Sequence, residues 1–237
     1  MKNIKQGGSS TPQKPEGHVD FKSAFYFQTP LWIAEAPMFL KNAIKVTDKY
    51  IKKSQKNLKD KLKNEPKWKK DIGTFGLSYH SESFSNDPKV KDLVQFIGQR
   101  SYEFLDWSGF NLQNHSLHFT EFWVQEFSEK GGGHHDTHVH WNQHVSGFYF
   151  LKCNDKPSHP VFHDPSPGKK MTDLMPKDSK KLNYCNSQIH YKVKPGKFIF
   201  FNSYMPHAYE HHKGKEKFRF IHFNVQAVMD PNLSKQI

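Results

Sequence analysis

The chain has 237 residues, a formal charge of +12 and an aromatic content of 15%, with 21 phenylalanines. That length fits one domain with a sizeable core plus some appended structure, and so much phenylalanine suits a packed sheet better than a helical bundle. No apolar run approaches the ~20 residues of a membrane span, and Met1–Asp20 lacks the apolar stretch of a secretory signal. Cys153 and Cys185 are too few and too far apart for a disulfide framework or a zinc knuckle, so a reducing, cytoplasmic setting is expected.

Residues 1–20 are Gly, Ser, Pro, Gln and Lys with almost nothing to bury, which predicts a disordered tail. An apolar stretch follows and predicts a strand over Phe25–Ile33. From Met38, the spacing of Leu40, Ile44, Ile51, Leu58 and Leu62 predicts one stripe of a helix that Pro66 closes. Lys41–Lys70 holds 12 lysines and no arginine. A solvated helix face is the expected reading, and a weak polyanion-binding surface is the alternative. Asp87-Pro88 predicts the start of a second helix, an N-cap followed by Pro at the first position. Its buried face would carry Leu93, Phe96, Ile97, Phe104 and Leu105, ending near Ser108-Gly109.

After Phe110 the apolar period changes to two, predicting a long strand over Leu117–Phe127. Further strands are expected at Val145–Lys152, His159–His163, Gln188–Val193, Lys197–Asn202 and Lys217–Ala227. Gly131-Gly132-Gly133, Pro165-Ser166-Pro167-Gly168 and Lys194-Pro195-Gly196 supply turns between them. Lys169–Asn186 has little pattern and reads as an excursion between strands, of the kind that often covers a site. The fold class is therefore mainly β with flanking helices, a sandwich or barrel preceded by two helices. The expected division is a tail over 1–20, an N-terminal strand and helical support over 21–110, and a β core over 111–230.

The segment Gly131–His144 concentrates His134, His135, His138, His140 and His144 around Asp136. Residues at i and i+2 of a strand end share a side, so His138 and His140 can converge on one ion, and so can His134 and Asp136. His207, at the end of the run that starts at Lys197, is the third candidate. No thiolate accompanies them, which argues against a structural zinc site. Imidazoles with one carboxylate and open positions suit iron(II), though manganese, nickel and zinc accept the same donors. Trp141 and Asn142, next to His140, are candidate substrate contacts.

The order of several motifs adds a family resemblance. Trp123-Val124, Gly132, His138-Val139-His140 and Ser146-Gly147-Phe148-Tyr149-Phe150-Leu151 come first. Phe162-His163-Asp164-Pro165, Lys194-Pro195-Gly196, Phe200-Phe201-Asn202-Ser203-Tyr204-Met205-Pro206-His207 and Arg219-Phe220-Ile221-His222-Phe223-Asn224 follow. Over about Leu117–Val228 this resembles the 2-oxoglutarate/iron(II) oxygenases of bacterial and phage type, relatives of the prolyl 4-hydroxylases.

The resemblance implies a double-stranded β-helix, or jelly-roll, core. It implies iron(II) held by His138, by His140 at the second position of a His-x-Asp motif, and by His207. The register His134/Asp136 stays open as the alternative that contains a carboxylate. It further implies 2-oxoglutarate as cosubstrate, its far carboxylate on Arg219 and the Tyr149 hydroxyl, with Lys217 as fallback. Dioxygen and a substrate complete the reaction, a hydroxylation of a protein side chain or a small molecule. Two rivals remain. A cupin-like metal dioxygenase would share Gly132 and His138-x-His140, but the following glutamate and the Pro-x-Gly-x-x-His setting are missing. A non-catalytic jelly-roll binding or virion-associated protein would leave the histidine cluster unexplained.

Overall fold

The computed structural model describes residues 22, 27–65, 67, 78–153, 158–166, 168, 171, 174–178, 180–213 and 215–230. The tail over 1–20 and part of the 169–186 excursion lie outside them. The architecture is two antiparallel sheets and two helices, as the period-two segments and the two helical stripes predict. The strands are β1 (Leu31–Glu35), β2 (Ser78–His80), β3 (His115–Phe127), β4 (His135–His138), β5 (Val145–Lys152), β6 (Pro160–His163), β7 (Gln188–His190), β8 (Lys197–Asn202), β9 (His207–Tyr209) and β10 (Phe218–Met229). The larger sheet runs β1-β8-β5-β10-β3-β2 and the smaller one β4-β9-β6-β7.

The first strand among the described residues is Leu31–Glu35, and Phe25 and Tyr26, where the expected strand starts, lie outside the described residues. It pairs with β8 from Leu31 opposite Phe201 to Glu35 opposite Lys197. Three short strands were not expected from periodicity: β2, β4 and β9. Each has three or four residues, too few for an alternation to register.

Helix α1 (Leu40–Asn64) and helix α2 (Lys91–Trp107) cover the outer face of the larger sheet. The buried stripe of α1 is Ala43, Val46, Thr47 and Ile51. Of the five residues read as the stripe, Ile51 is fully buried, and Leu40, Ile44, Leu58 and Leu62 are half-buried. Lys49 and Lys53 of α1 pair with Asp87 and Glu82. The lysine-rich run therefore behaves as a solvated, partly ion-paired face, and it gains no support as a polyanion site. No helix among the described residues is long and apolar enough to cross a membrane.

Asp87 accepts a hydrogen bond from the Lys89 backbone N–H (3.0 Å) and another from the Tyr50 hydroxyl (2.9 Å), capping the turn that leads into α2. Asp87→Ala is expected to lower stability by about 1–2 kcal/mol, read as a shift in urea midpoint at unchanged m-value. The Lys49 ammonium, partly opposed by burial, holds the Asp87 carboxyl below its ordinary range. Its contribution is thus complete above the unfolded carboxyl pKa, near ~3.9, and is lost as pH falls through the lower folded value. The gap between wild type and variant should close in acid.

The larger sheet is covered on both faces, so β5 is buried at every residue from Val145 to Leu151 rather than alternately. Its Val145, Tyr149 and Leu151 face the helices, and its Phe148 and Phe150 face the smaller sheet. Strand β10 divides the same way. Ile221, Phe223 and Val225 pack under the helices, while Phe218 and Phe220 point between the sheets. Tyr209 stacks on Phe220 at 4.6 Å there, with Phe148 at 5.2 Å. Gly147 makes the packing possible, since a Cβ at that position would sit 2.2 Å from the Phe223 ring and 2.6 Å from the Ile199 carbonyl.

Candidate metal centre

The turn at Gly131–Gly133 carries the chain from β3 in the larger sheet to β4 in the smaller. Gly131 takes φ +82°, and a Cβ there would lie 2.8 Å from the His212 carbonyl. Strand β4 pairs with β9, with a register break between His135 and His138. The break sets His138 directly opposite His207. Two residues on, the His140 backbone N–H donates to the Ser203 carbonyl (3.0 Å), which ties the loop down beside His207.

Three imidazoles meet as a result. Ring centroids lie 4.4 Å apart for His138–His207, and 5.1 Å apart for both His138–His140 and His140–His207. One ring nitrogen from each lies within 4.8 Å of the others. The His138 Nδ1–H donates to the Asp136 carbonyl (2.7 Å) and the His207 Nδ1–H to the Met205 carbonyl (2.9 Å). Such bonds fix the tautomer and leave Nε2 as a lone pair for a metal. His140 Nε2 lies 3.3 Å from His207 Nε2, a spacing that calls for a proton or a cation between two lone pairs.

Burial, then the neighbouring histidines, pushes His140 down to about 3 and holds His207 well below its ordinary value. Neutral imidazole is the ligand form, so the site is poised for a cation at neutral pH.

His134 and Asp136 do not join this group. The His134 ring stacks on His211 at 3.9 Å, and the Asp136 side chain is 91% exposed, 3.8 Å from His134 Nε2. The register break turns His138 inward while Asp136 stays outside. Trp141 is 84% exposed beside the triad. Asn142 takes a left-handed φ of 57°, which asparagine tolerates better than most residues.

The three residues expected to hold the cosubstrate lie on the wrong face of the larger sheet. Arg219 is 3% exposed and donates to Glu126 (2.7 Å), Asp48 (2.6 Å) and Thr47 (3.2 Å) under α1. The Tyr149 hydroxyl donates to the Ala36 carbonyl (2.8 Å). Lys217 Nζ lies 3.5 Å from Glu126 Oε1. The physical reason is strand period: Arg219 stands an odd number of residues from His222, so one faces the helices and the other the interior.

Reasoning from sequence gave no site role to Glu121, His222 and Tyr209, and counted His135 only as a member of the histidine cluster. His222 is buried behind His140, ring centroids 4.8 Å apart, and its Nε2 lies 3.4 Å from Glu121 Oε2. The His222 ring, opposed by burial, holds the Glu121 carboxyl down at about 2. Burial pushes His135 down to about 3. The Tyr209 hydroxyl is buried with no hydrogen-bond partner, and it lies on β9 two residues after His207. The one available signal was His222 amid the apolar residues of β10 and Tyr209 two residues after His207, since buried polar groups need partners.

The donor set fits a first-row divalent cation: converging neutral imidazoles, with a carboxylate adjacent. For 2-oxoglutarate the fit is of another kind than expected. Arg219 is the sole buried lysine or arginine among the described residues. The Tyr209 hydroxyl, between the sheets, is among the buried polar groups without a hydrogen-bond partner.

Residues 121–224 match the family model described as "Putative 2OG-Fe(II) oxygenase". Among solved structures, a viral collagen prolyl hydroxylase from Paramecium Bursaria Chlorella virus-1 is 13% identical, covering 84% of this chain and 96% of its own at a TM-score of 0.50. A prolyl hydroxylase from Trichoplax adhaerens is 9% identical over 86% of each chain at a TM-score of 0.46. An oxygenase from Burkholderia pseudomallei is 10% identical, covering 65% of this chain and 69% of its own at 0.44. No curated protein matches the chain. The viral likeness shows a shared jelly-roll fold, and the match to the 2OG-Fe(II) oxygenase model spans residues 121–224, which contain the histidine triad.

Proposed function

We propose that the chain is an iron(II)- and 2-oxoglutarate-dependent dioxygenase that hydroxylates a protein side chain or a small molecule. The observation that carries this reading is the convergence of His138, His140 and His207, drawn from two strands and a loop. In this reading 111–230 is the catalytic core and 21–110 braces it. Cys153 and Cys185 are free thiols, which suits a reducing cytoplasm.

His138, His140 and His207 would hold the metal, with Asp136 and Met205 carbonyls fixing two of the rings. Bound iron(II), with 2-oxoglutarate and dioxygen, supplies the oxidising equivalents for inserting oxygen into a C–H bond. Tyr209 would orient the cosubstrate by donating to its far carboxylate, one strand repeat, about 6.6 Å, beyond His207. The phenylalanines around it exclude water. Trp141 and Asn142 would meet the substrate at the exposed rim.

The test is an anaerobic titration with iron(II) and then 2-oxoglutarate, watching the weak visible band of chelated cosubstrate. The band is expected in wild type and in Asp136→Ala, and absent in His138→Ala. In Tyr209→Phe it should require about tenfold more 2-oxoglutarate, the worth of one buried hydrogen bond. Tight metal binding with no band would sink the 2-oxoglutarate reading in favour of the cupin-like one.

A further inference from the structure

We propose that Glu121, His140 and His222 form a second seat for the metal ion, of the two-histidine, one-carboxylate kind. It would take a first-row divalent cation and share His140 with the triad. Nothing in the sequence pattern pointed to it, and it rests on reading the triad as a metal centre.

One donor atom from each of Glu121, His140 and His222 lies within 4.8 Å of the other two. His222 is 1% exposed, and neither of its ring nitrogens meets a hydrogen-bond partner in good geometry. A buried imidazole left this way is costly, and a cation would satisfy it. Besides Glu121, Asn224 and His140, its neighbours are aromatic: Trp123 lies at 4.5 Å and Phe148 at 5.4 Å between ring centroids. Glu121 is held in place from two sides, by the Trp123 Nε1–H (3.3 Å) and by the Asn224 amide (2.8 Å). Ligating carboxylates are usually oriented by such bonds. With a side-chain exposure of 43%, Glu121 also reaches solvent, giving an ion a way in.

The two seats differ by one charge. Three neutral imidazoles leave a divalent cation uncompensated, whereas the Glu121 seat neutralises half of it. A cation without an anionic cosubstrate is stabilised more by the carboxylate seat. Gaining an anionic ligand removes that advantage and favours the triad.

Cobalt(II) is the probe, bound to the full chain and followed by equilibrium dialysis and by its visible absorption, with circular dichroism confirming the fold. His138→Ala opens the triad at its partly exposed corner and leaves the second seat intact. That variant is expected to keep one cobalt, at reduced affinity. His138→Ala/Glu121→Gln and His138→Ala/His222→Gln should each bind at least tenfold more weakly than His138→Ala alone. Complete loss of cobalt in folded His138→Ala, with wild type still binding, would overturn the second seat and leave the triad standing. Double variants that bind as well as His138→Ala would also overturn it. A wild type that binds no cobalt, iron(II) or manganese(II) would sink both seats together.

Discussion

Arg219→Ala is expected to cost roughly 3–5 kcal/mol of folding stability and to leave the 2-oxoglutarate requirement of the surviving folded protein unchanged. The guanidinium is buried between Glu126, whose side chain is fully buried, and Asp48 of α1. Removing it strands the Glu126 carboxylate, whose remaining cation is Lys217 at 3.5 Å. It also cuts the polar tie between α1 and the sheet through Thr47 and Asp48. The penalty is that of an uncompensated buried charge, so it should shrink when both partners go. Arg219→Met/Glu126→Leu is expected to recover most of the loss, since apolar replacement of a whole buried pair is often neutral or stabilising. Urea unfolding of the two variants reads the stability. Titration with 2-oxoglutarate reads the face assignment: a tenfold rise in the concentration needed, in folded Arg219→Ala, would return Arg219 to the cosubstrate and refute its place under the helices.

The strands β5 and β8, both helices and the long strands β3 and β10 were legible in the sequence because each repeats its pattern over enough residues to show. What escaped was set by single steps in register. The break between His135 and His138 decided which of two i, i+2 pairs turns inward, and no local preference marks it. The odd spacing of Arg219 from His222 was visible. The side each faces depends on which strand face the helices cover, and that is settled by tertiary packing. His207 was found because it closes the apolar run that starts at Lys197. Its short strand was not, because three residues in a sheet are specified by their partner, His138, rather than by themselves. Glu121 and His222 come together across β3 and β10, 101 positions apart in the chain, a pairing that composition does not carry.

His207→Ala should remove the triad's share of the metal-dependent stabilisation and leave only the weaker binding of the Glu121, His140 and His222 seat. Losing a hydrogen-bond partner of a ligand typically lowers metal affinity 10–100-fold, and losing a ligand itself should exceed that. At an ion concentration about 100 times its dissociation constant, wild type is expected to gain about 2.7 kcal/mol from binding. At a hundredfold lower affinity, His207→Ala should gain only about 0.4 kcal/mol at the same concentration. The apo forms provide the needed control. His207 is buried and neutral, bonded to the Met205 carbonyl, so its removal alone should cost about 1–3 kcal/mol. The loss of the metal-induced gain must therefore be read against the variant's own apo stability. His134→Ala, whose ring stacks on His211 instead of facing the triad, should keep the full gain. If His134→Ala lost the metal effect and His207→Ala kept it, the inward turn of β4 would be the wrong one. The carboxylate-bearing register of His134 and Asp136 would then hold the ion. A result in which both variants keep the gain would place the ion with Glu121 and His222, the one donor set that neither substitution touches.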